Sequence, residues 1–137
     1  MKIRIFTDGA CSGNGTINSK AGIGVVVEWQ NKKPTIISEY LGEGLTNNIA
    51  EYRGVIKALD FIYHNQISNV EINSDSKLIV NQINGNWRCK DSKLKPLLIK
   101  SQKKLNYLRN KLNYNIDIIY IPRKFNLADE PAKNSLK

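Results

Sequence analysis

Three β-rich runs crowd into the first part of the chain with only turn residues between them, whereas each later strand-like run follows a helix-spaced stretch. The early runs are Ile3 to Thr7, Gly22 to Trp29 and Thr35 to Leu41. Asp8-Gly9-Ala10-Cys11-Ser12-Gly13-Asn14-Gly15 and Asn31-Lys32-Lys33-Pro34 separate them, which predicts a three-stranded antiparallel meander. From Asn48 to His64, Ile49, Tyr52, Val55, Ile56, Leu59 and Ile62 recur at helical spacing, with Thr46 or Asn47 able to cap the start. Val70 to Asn73 reads as a short buried strand. Ser74 or Asp75 can cap a helix that runs through Ile83 and ends at Asn84-Gly85-Asn86. Leu94, Leu97, Leu98, Leu105, Leu108 and Leu112 mark the buried stripe of one long helix, Lys93 to Asn113, with Pro96 tolerated in its first turn. Asn115 to Ile121 is a last strand stopped by Pro122, and Leu127 to Ser135 a brief terminal helix. Strands joined through helices require crossovers and pair in parallel. The expectation is an α/β fold: one domain over 1–137, a mixed five-stranded sheet with three antiparallel and then two parallel strands, and helices on both faces.

A chain of 137 residues can bury one sizeable core. No apolar run approaches the roughly 20 residues that span a bilayer, and no apolar leader precedes Ile3, so a cytosolic protein without a membrane partner is expected. Two cysteines, Cys11 and Cys89, are too few for a disulfide framework and read as free thiols. The net charge is +9, and its distribution matters more than its size. Arg88, Lys90, Lys93, Lys95, Lys100, Lys103, Lys104, Arg109 and Lys111 stand against one acid, Asp91, between positions 88 and 111. A solvated helix face explains many such runs. Here the near balance of the remaining chain favours a phosphate-binding surface.

Four acids each stand where a strand meets a turn or helix: Asp8 after Ile3-Arg4-Ile5-Phe6-Thr7, Glu51 in Thr46-Asn47-Asn48-Ile49-Ala50-Glu51, Asp75 in Asn73-Ser74-Asp75-Ser76, and Asp129 in Asn126-Leu127-Ala128-Asp129. In a sheet of this kind the C-terminal ends of the parallel strands converge on one edge, where Asp8 and Asp75 would lie at strand ends and Glu51 and Asp129 could point from their helices. Acids gathered there repel one another unless a multivalent cation relieves them. A purely oxygen donor set suits Mg²⁺ or Mn²⁺ better than zinc or copper.

These four motifs, in this order and with these elements between them, resemble the type 1 ribonucleases H, in the form that lacks a basic protrusion after Trp87. The resemblance runs from Ile3 to about Ala132. It implies an endoribonuclease that hydrolyses the RNA strand of an RNA–DNA hybrid to 5′-phosphate and 3′-hydroxyl ends, acting as a monomer. It also implies that Asp8, Glu51, Asp75 and Asp129 hold two Mg²⁺ ions, or Mn²⁺, and serve as the catalytic acids. Substrate contacts would come from Cys11, Asn14, Thr46, Asn47, Asn48, Lys77, Trp87, Arg88 and Arg123, with 2′-hydroxyls read across the hybrid's wide minor groove. Plainer roles exist for several of these: Asn47 and Asn48 as helix caps, Trp87 as a lid on the core.

The chain departs from the family pattern in three places. Arg123 stands about where many members carry a loop histidine; Lys77 stands where some have a glutamine; and Pro131 replaces the usual leucine after Asp129, so the last helix must start at that acid. The one histidine, His64, closes the first helix and reads as a surface or capping residue. Two other readings are an exonuclease or transposase-like nuclease, against which Asp8-Gly9-Ala10 lacks the Asp-x-Glu pair, and a non-catalytic hybrid-binding module, against which all four acids are present.

Overall fold

The computed structural model describes residues 1–13 and 16–137. Five strands form one sheet: β1 (Ile3–Ser12), β2 (Lys20–Glu28), β3 (Thr35–Glu43), β4 (Asn69–Ser74) and β5 (Asn115–Tyr120), in the order β3-β2-β1-β4-β5. The β1–β2 and β2–β3 pairs are antiparallel, and the β1–β4 and β4–β5 pairs parallel, as the hairpin and crossover spacings predict. Helices α1 (Asn47–His64), α2 (Lys77–Ile83) and α3 (Lys95–Asn106) carry the chain between strands, and α4 (Asp129–Asn134) closes it.

The main core fills the space between the sheet and α1, α2 and α3: Ile5, Val25, Tyr52, Leu59, Ile72, Ile79, Leu105 and Ile118 all belong to it. A small second cluster of Phe6, Val26 and Ala128 lies under α4 on the opposite face. Alternation in β1 explains the division, because Ile5 and Phe6 are consecutive and so point to opposite faces.

Two backbone approaches would not survive a side chain. A Cβ at Gly9 would stand 2.6 Å from the Glu51 nitrogen, which is how α1 comes to lie directly on β1. A Cβ at Gly24 would stand 2.5 Å from both the Ala128 oxygen and the Ala132 nitrogen, so α4 rests on bare strand backbone.

Three local expectations need correction. The strand β1 does not stop at Thr7; it continues to Ser12 because β2 begins early enough, at Lys20, to pair with its full length, so Asp8 lies inside a strand and not at its end. The cap of α2 is neither Ser74 nor Asp75 but Ser76, whose hydroxyl accepts from the Ile79 amide at 3.2 Å. The helix drawn from Lys93 to Asn113 starts at Lys95 and gives way to a wide π-turn at Tyr107–Lys111. That turn keeps Leu108 buried and brings the Arg109 guanidinium to the Ile116 carbonyl at 2.7 and 3.1 Å. Asp91, which accepts from the Lys93 amide at 2.7 Å and the Leu94 amide at 3.3 Å, organises the turn before α3. No helix among the described residues is long and apolar enough to cross a membrane.

Candidate active site

The parallel pairing of β1 with β4 ends at Thr7 opposite Ser74. Beyond it β1 continues while β4 turns away, leaving Asp8 paired on one flank only, with Gly24 of β2. Into this gap α1 brings Glu51 and the start of α2 brings Asp75, and one oxygen from each of Asp8, Glu51 and Asp75 falls within a 4.8 Å cluster. Asp8 and Glu51 are each 5% exposed, so these acids are held where charge is poorly solvated. The fourth acid, Asp129, lines the same cleft of about 400 Å³ and stands near enough to Asp8 to help raise it.

Each acid is placed by a local device. Thr46 caps α1 by accepting from the Ile49 amide at 3.3 Å, which starts the helix one turn before Glu51. The Gly9 amide donates to Asp8 Oδ1 at 2.9 Å and also to Glu51 Oε1. With Ser76 capping α2, and Ser74 Oγ accepting from the Ser76 amide at 3.2 Å, the Asp75 carboxylate has no capping duty and can face the cleft. Asn126, 6% exposed, donates to the Thr7 carbonyl at 2.9 Å and to Asp75 Oδ2 at 3.2 Å, and accepts from the Ala128 amide at 3.0 Å. One amide thereby ties β1, Asp75 and the entry to α4 together. Nothing in the sequence beyond its place before Asp129 marks Asn126 for this role.

The electrostatics separate the fourth acid from the other three. Burial, then repulsion from Asp75, pushes Asp8 up to about 7. Burial and Asp8 push Glu51 well above the usual carboxylate range. Burial raises Asp75 as well, partly offset by Asn126 and by the charge of Arg123. Asp129 goes the other way. Its partial burial raises it, but the hydrogen bonds from Lys133 and Asp8 and the charges of Lys133 and Arg123 outweigh that and lower it. Lys133 Nζ lies 3.1 Å from Asp129 Oδ2, and an Arg123 nitrogen 3.4 Å from Oδ1. Lys133 lies one turn along α4 from Asp129, a spacing visible in the sequence once the short helix is granted.

The other candidate residues spread out from this centre. Cys11 and Asn47 line the cleft, with the Cys11 thiol donating to the Leu45 carbonyl at 3.4 Å. Asn48 is exposed on the first turn of α1, and Asn14 lies outside the described residues. Lys77 stands at the start of α2, its ammonium 5.3 Å from the Tyr120 ring centre. Trp87 and Arg88 are exposed beyond the far end of α2, about 10 Å of helix away from Asp75. The basic α3 is divided as well: Lys104 is bonded to Asp60 at 2.5 Å, and Lys103 and Lys104 line a separate groove with Tyr107 of the π-turn and with Leu59 and Tyr63 on the C-terminal half of α1.

This sheet order, with acids meeting at the β1–β4 edge, defines the ribonuclease H-like class of fold. Residues 6–134 match the reverse transcriptase-like family. The structure of the N-terminal RNase H domain of Rv2228c from Mycobacterium tuberculosis is similar over 100% of both chains, with a TM-score of 0.84 and 31% identity. LC11-RNase H1, solved in complex with an RNA/DNA hybrid, is similar over 98% of this chain and 96% of that one, with a TM-score of 0.78 and 33% identity. Among curated relatives, the bifunctional protein Rv2228c of Mycobacterium tuberculosis is 34% identical over 140 residues, which are 99% of this chain but 36% of that protein. A ribonuclease H of Clostridium botulinum is 36% identical over 63% of this chain and 55% of its own length. The chain therefore spans about a third and about half of these two curated relatives. It belongs to the type 1 ribonuclease H family.

Proposed function

We propose that this chain hydrolyses the RNA strand of RNA–DNA hybrids, leaving 5′-phosphate and 3′-hydroxyl ends, with Asp8, Glu51, Asp75 and Asp129 as its catalytic acids. The observation that carries the reading is the cluster of Asp8, Glu51 and Asp75, their oxygens within 4.8 Å and their carboxyls pushed up by burial and mutual repulsion. An all-carboxylate donor set, poorly solvated at Asp8 and Glu51 and with Arg123 and Lys133 on its Asp129 side, fits a hard divalent ion. Asp8, Glu51 and Asp75 would hold one Mg²⁺ or Mn²⁺, and Asp129 would share a second with Asp8. Such ions supply Lewis acidity toward water and the leaving oxygen.

The chain's own residues provide the rest. The first turn of α1, with Asn47 and Asn48 at its start, offers amides and side-chain donors to the sugar–phosphate edge. Cys11 and its neighbours on β1 form the wall that would meet 2′-hydroxyls, the feature that separates RNA from DNA. Lys77, Trp87 and Arg88 extend the contact surface along α2 toward the second strand. Arg123 is a fixed positive charge beside Asp129; a guanidinium can hold a phosphate oxygen but does not give up its proton to act as a shuttle. Lysine and arginine outnumber the acids by nine, which supports association with a polyanion. The test is a labelled RNA–DNA hybrid, a DNA duplex and an RNA duplex, each with Mg²⁺, Mn²⁺ or chelator. Cleavage confined to the RNA strand of the hybrid and abolished by chelator is the expected result; cleavage of the DNA duplex, or none of any substrate, would remove the reading.

A further inference from the structure

The turn that carries Trp87 is tied down more completely than a surface turn requires. Gly85 takes the left-handed region at φ +82°, reversing the chain at the end of α2. The Asn86 and Trp87 amides both donate to the Asn81 carbonyl, at 2.8 and 3.1 Å, and the Asn86 side-chain amide donates to Asn81 Oδ1 at 3.3 Å. The next bond comes from inside the protein: Gln82, 4% exposed, donates through Nε2 to the Arg88 carbonyl at 3.3 Å. Its Oε1 accepts from the hydroxyl of Tyr52, a fully buried residue one position after Glu51 on α1.

An amide at such a site must have both ends bonded or it costs stability, and an apolar side chain would fill the same volume without that demand. The amide here is used at both ends, one toward α1 and the other toward the turn. The turn in its own right presents an indole that is 47% exposed and, next to it, an exposed guanidinium that makes no ion pair among the described residues. A fixed ring beside an unpaired cation suits a sugar–phosphate strand.

We infer that Gln82 is a positioning residue, fastening the 84–88 turn to α1 through Tyr52 so that Trp87 and Arg88 meet the nucleic acid at a set distance from Glu51. This rests on the proposed hybrid substrate. Its physical consequence is preorganisation: the contact strand is bound without first ordering the turn, which affects binding and not the chemical step.

The experiment combines hybrid-cleavage kinetics with acrylamide quenching of Trp87 in a Trp29→Phe background. Gln82→Met is expected to raise KM by about three- to tenfold with kcat within about twofold, the pattern of lost uniform binding, and to steepen quenching. In a Trp87→Ala, Arg88→Ala background the same substitution should add nothing to KM. A lowered melting temperature with unchanged KM and quenching would overturn the inference, as would an equal rise in KM after Trp87 and Arg88 have been removed. Should Gln82→Met fail to fold, Tyr52→Phe keeps the ring and deletes only the hydroxyl; it should give the same pattern at smaller size, and normal KM and quenching there would equally overturn the inference. Wild-type protein that cleaves no hybrid would count against the proposed function instead, and the quenching comparison, which needs no substrate, would still decide the role of Gln82.

Discussion

The acidic cleft and the basic helix α3 are both dense in charge, and the fold treats them oppositely. Asp8 and Glu51 are buried against each other, and every cleft acid but Asp129 is pushed above its ordinary range. On α3 the lysines reach solvent or, as with Lys104 on Asp60, are already neutralised. In sequence the segment that contains the helix is the louder signal, with nine cations between positions 88 and 111 against four scattered acids. In three dimensions the strain lies with the acids. Charge that a fold holds against its own preference is better evidence of function than charge it leaves in water.

The largest effect that would break this contrast is expected at Asp8. Asp8→Asn keeps the shape and removes a charge needed to hold a divalent ion, so hybrid cleavage should fall by roughly a thousandfold or more, about 4 kcal/mol of barrier, in folded protein. The same variant should melt higher than wild type in chelator at pH 8, because one member of a repulsive set is gone. Near-normal turnover in kinetics, or a lower melting point by calorimetry, would place the contrast elsewhere.

Next in size is Asn126→Ala. It frees Asp75 and the entry to α4 together, and turnover should drop by about ten- to hundredfold, the range found when a partner behind a metal ligand is lost. A wild-type rate would show that the acids are placed without it.

The pH dependence sharpens the same point. Asp8 and Glu51 have folded pKa values raised above their unfolded ones, so the folded state binds more protons in the interval between. For Asp8 that interval runs from its ordinary value of 3.8 to about 7, and metal-free stability should decline as pH rises through it. Mg²⁺ should restore the loss at pH 8. Asp129, lowered by Lys133 and Arg123, contributes in the opposite sense, its stabilisation fading only as pH falls below the ordinary carboxylate range. A melting temperature indifferent to pH between 4 and 7 in chelator would contradict the burial of the cluster. Arg123→Ala should slow turnover by about tenfold or less, near 1.4 kcal/mol. The smallest effect is expected from changing Lys100, Lys103 and Lys104 together to Ala: the slope of log affinity against log salt should flatten by less than about one unit, since Lys104 already has a partner. A change of two units or more would return α3 to the substrate surface.

Much of this was legible in the residues, for reasons that are local. Hairpin spacing and helical periodicity set the strand directions, since hairpins pair antiparallel and crossovers parallel; the order, with β1 between β2 and β4, comes from the structure. The four acids picked out by their motifs do line one cleft, and Thr46 was readable as a cap. What stayed hidden depends on partners distant in sequence. That β1 runs on to Ser12 is decided by β2, and Asp8-Gly9-Ala10 reads as a turn until the pairing with Gly22–Gly24 is seen. Asn126 and Gln82 are ordinary amides until the fold buries them between elements. Lys133 reads as one more surface lysine, although a helix that starts at Asp129 already places it one turn on. The π-turn at Tyr107 leaves the leucine spacing nearly helical, so periodicity passes over it.

One glycine sets a dimension. Gly24 lies across from Asp8 on β2 and directly beneath the backbone of α4. The strand there is as thin as a polypeptide can be, so the separation between Asp8 and Asp129 is gauged by a hydrogen atom. A methyl group at position 24 would act as a shim, lifting the terminal helix away from the sheet and carrying Asp129 with it, while Asp8, Glu51 and Asp75 keep their places on the other elements. The spacing of the acids is thus built into a strand that contributes none of them.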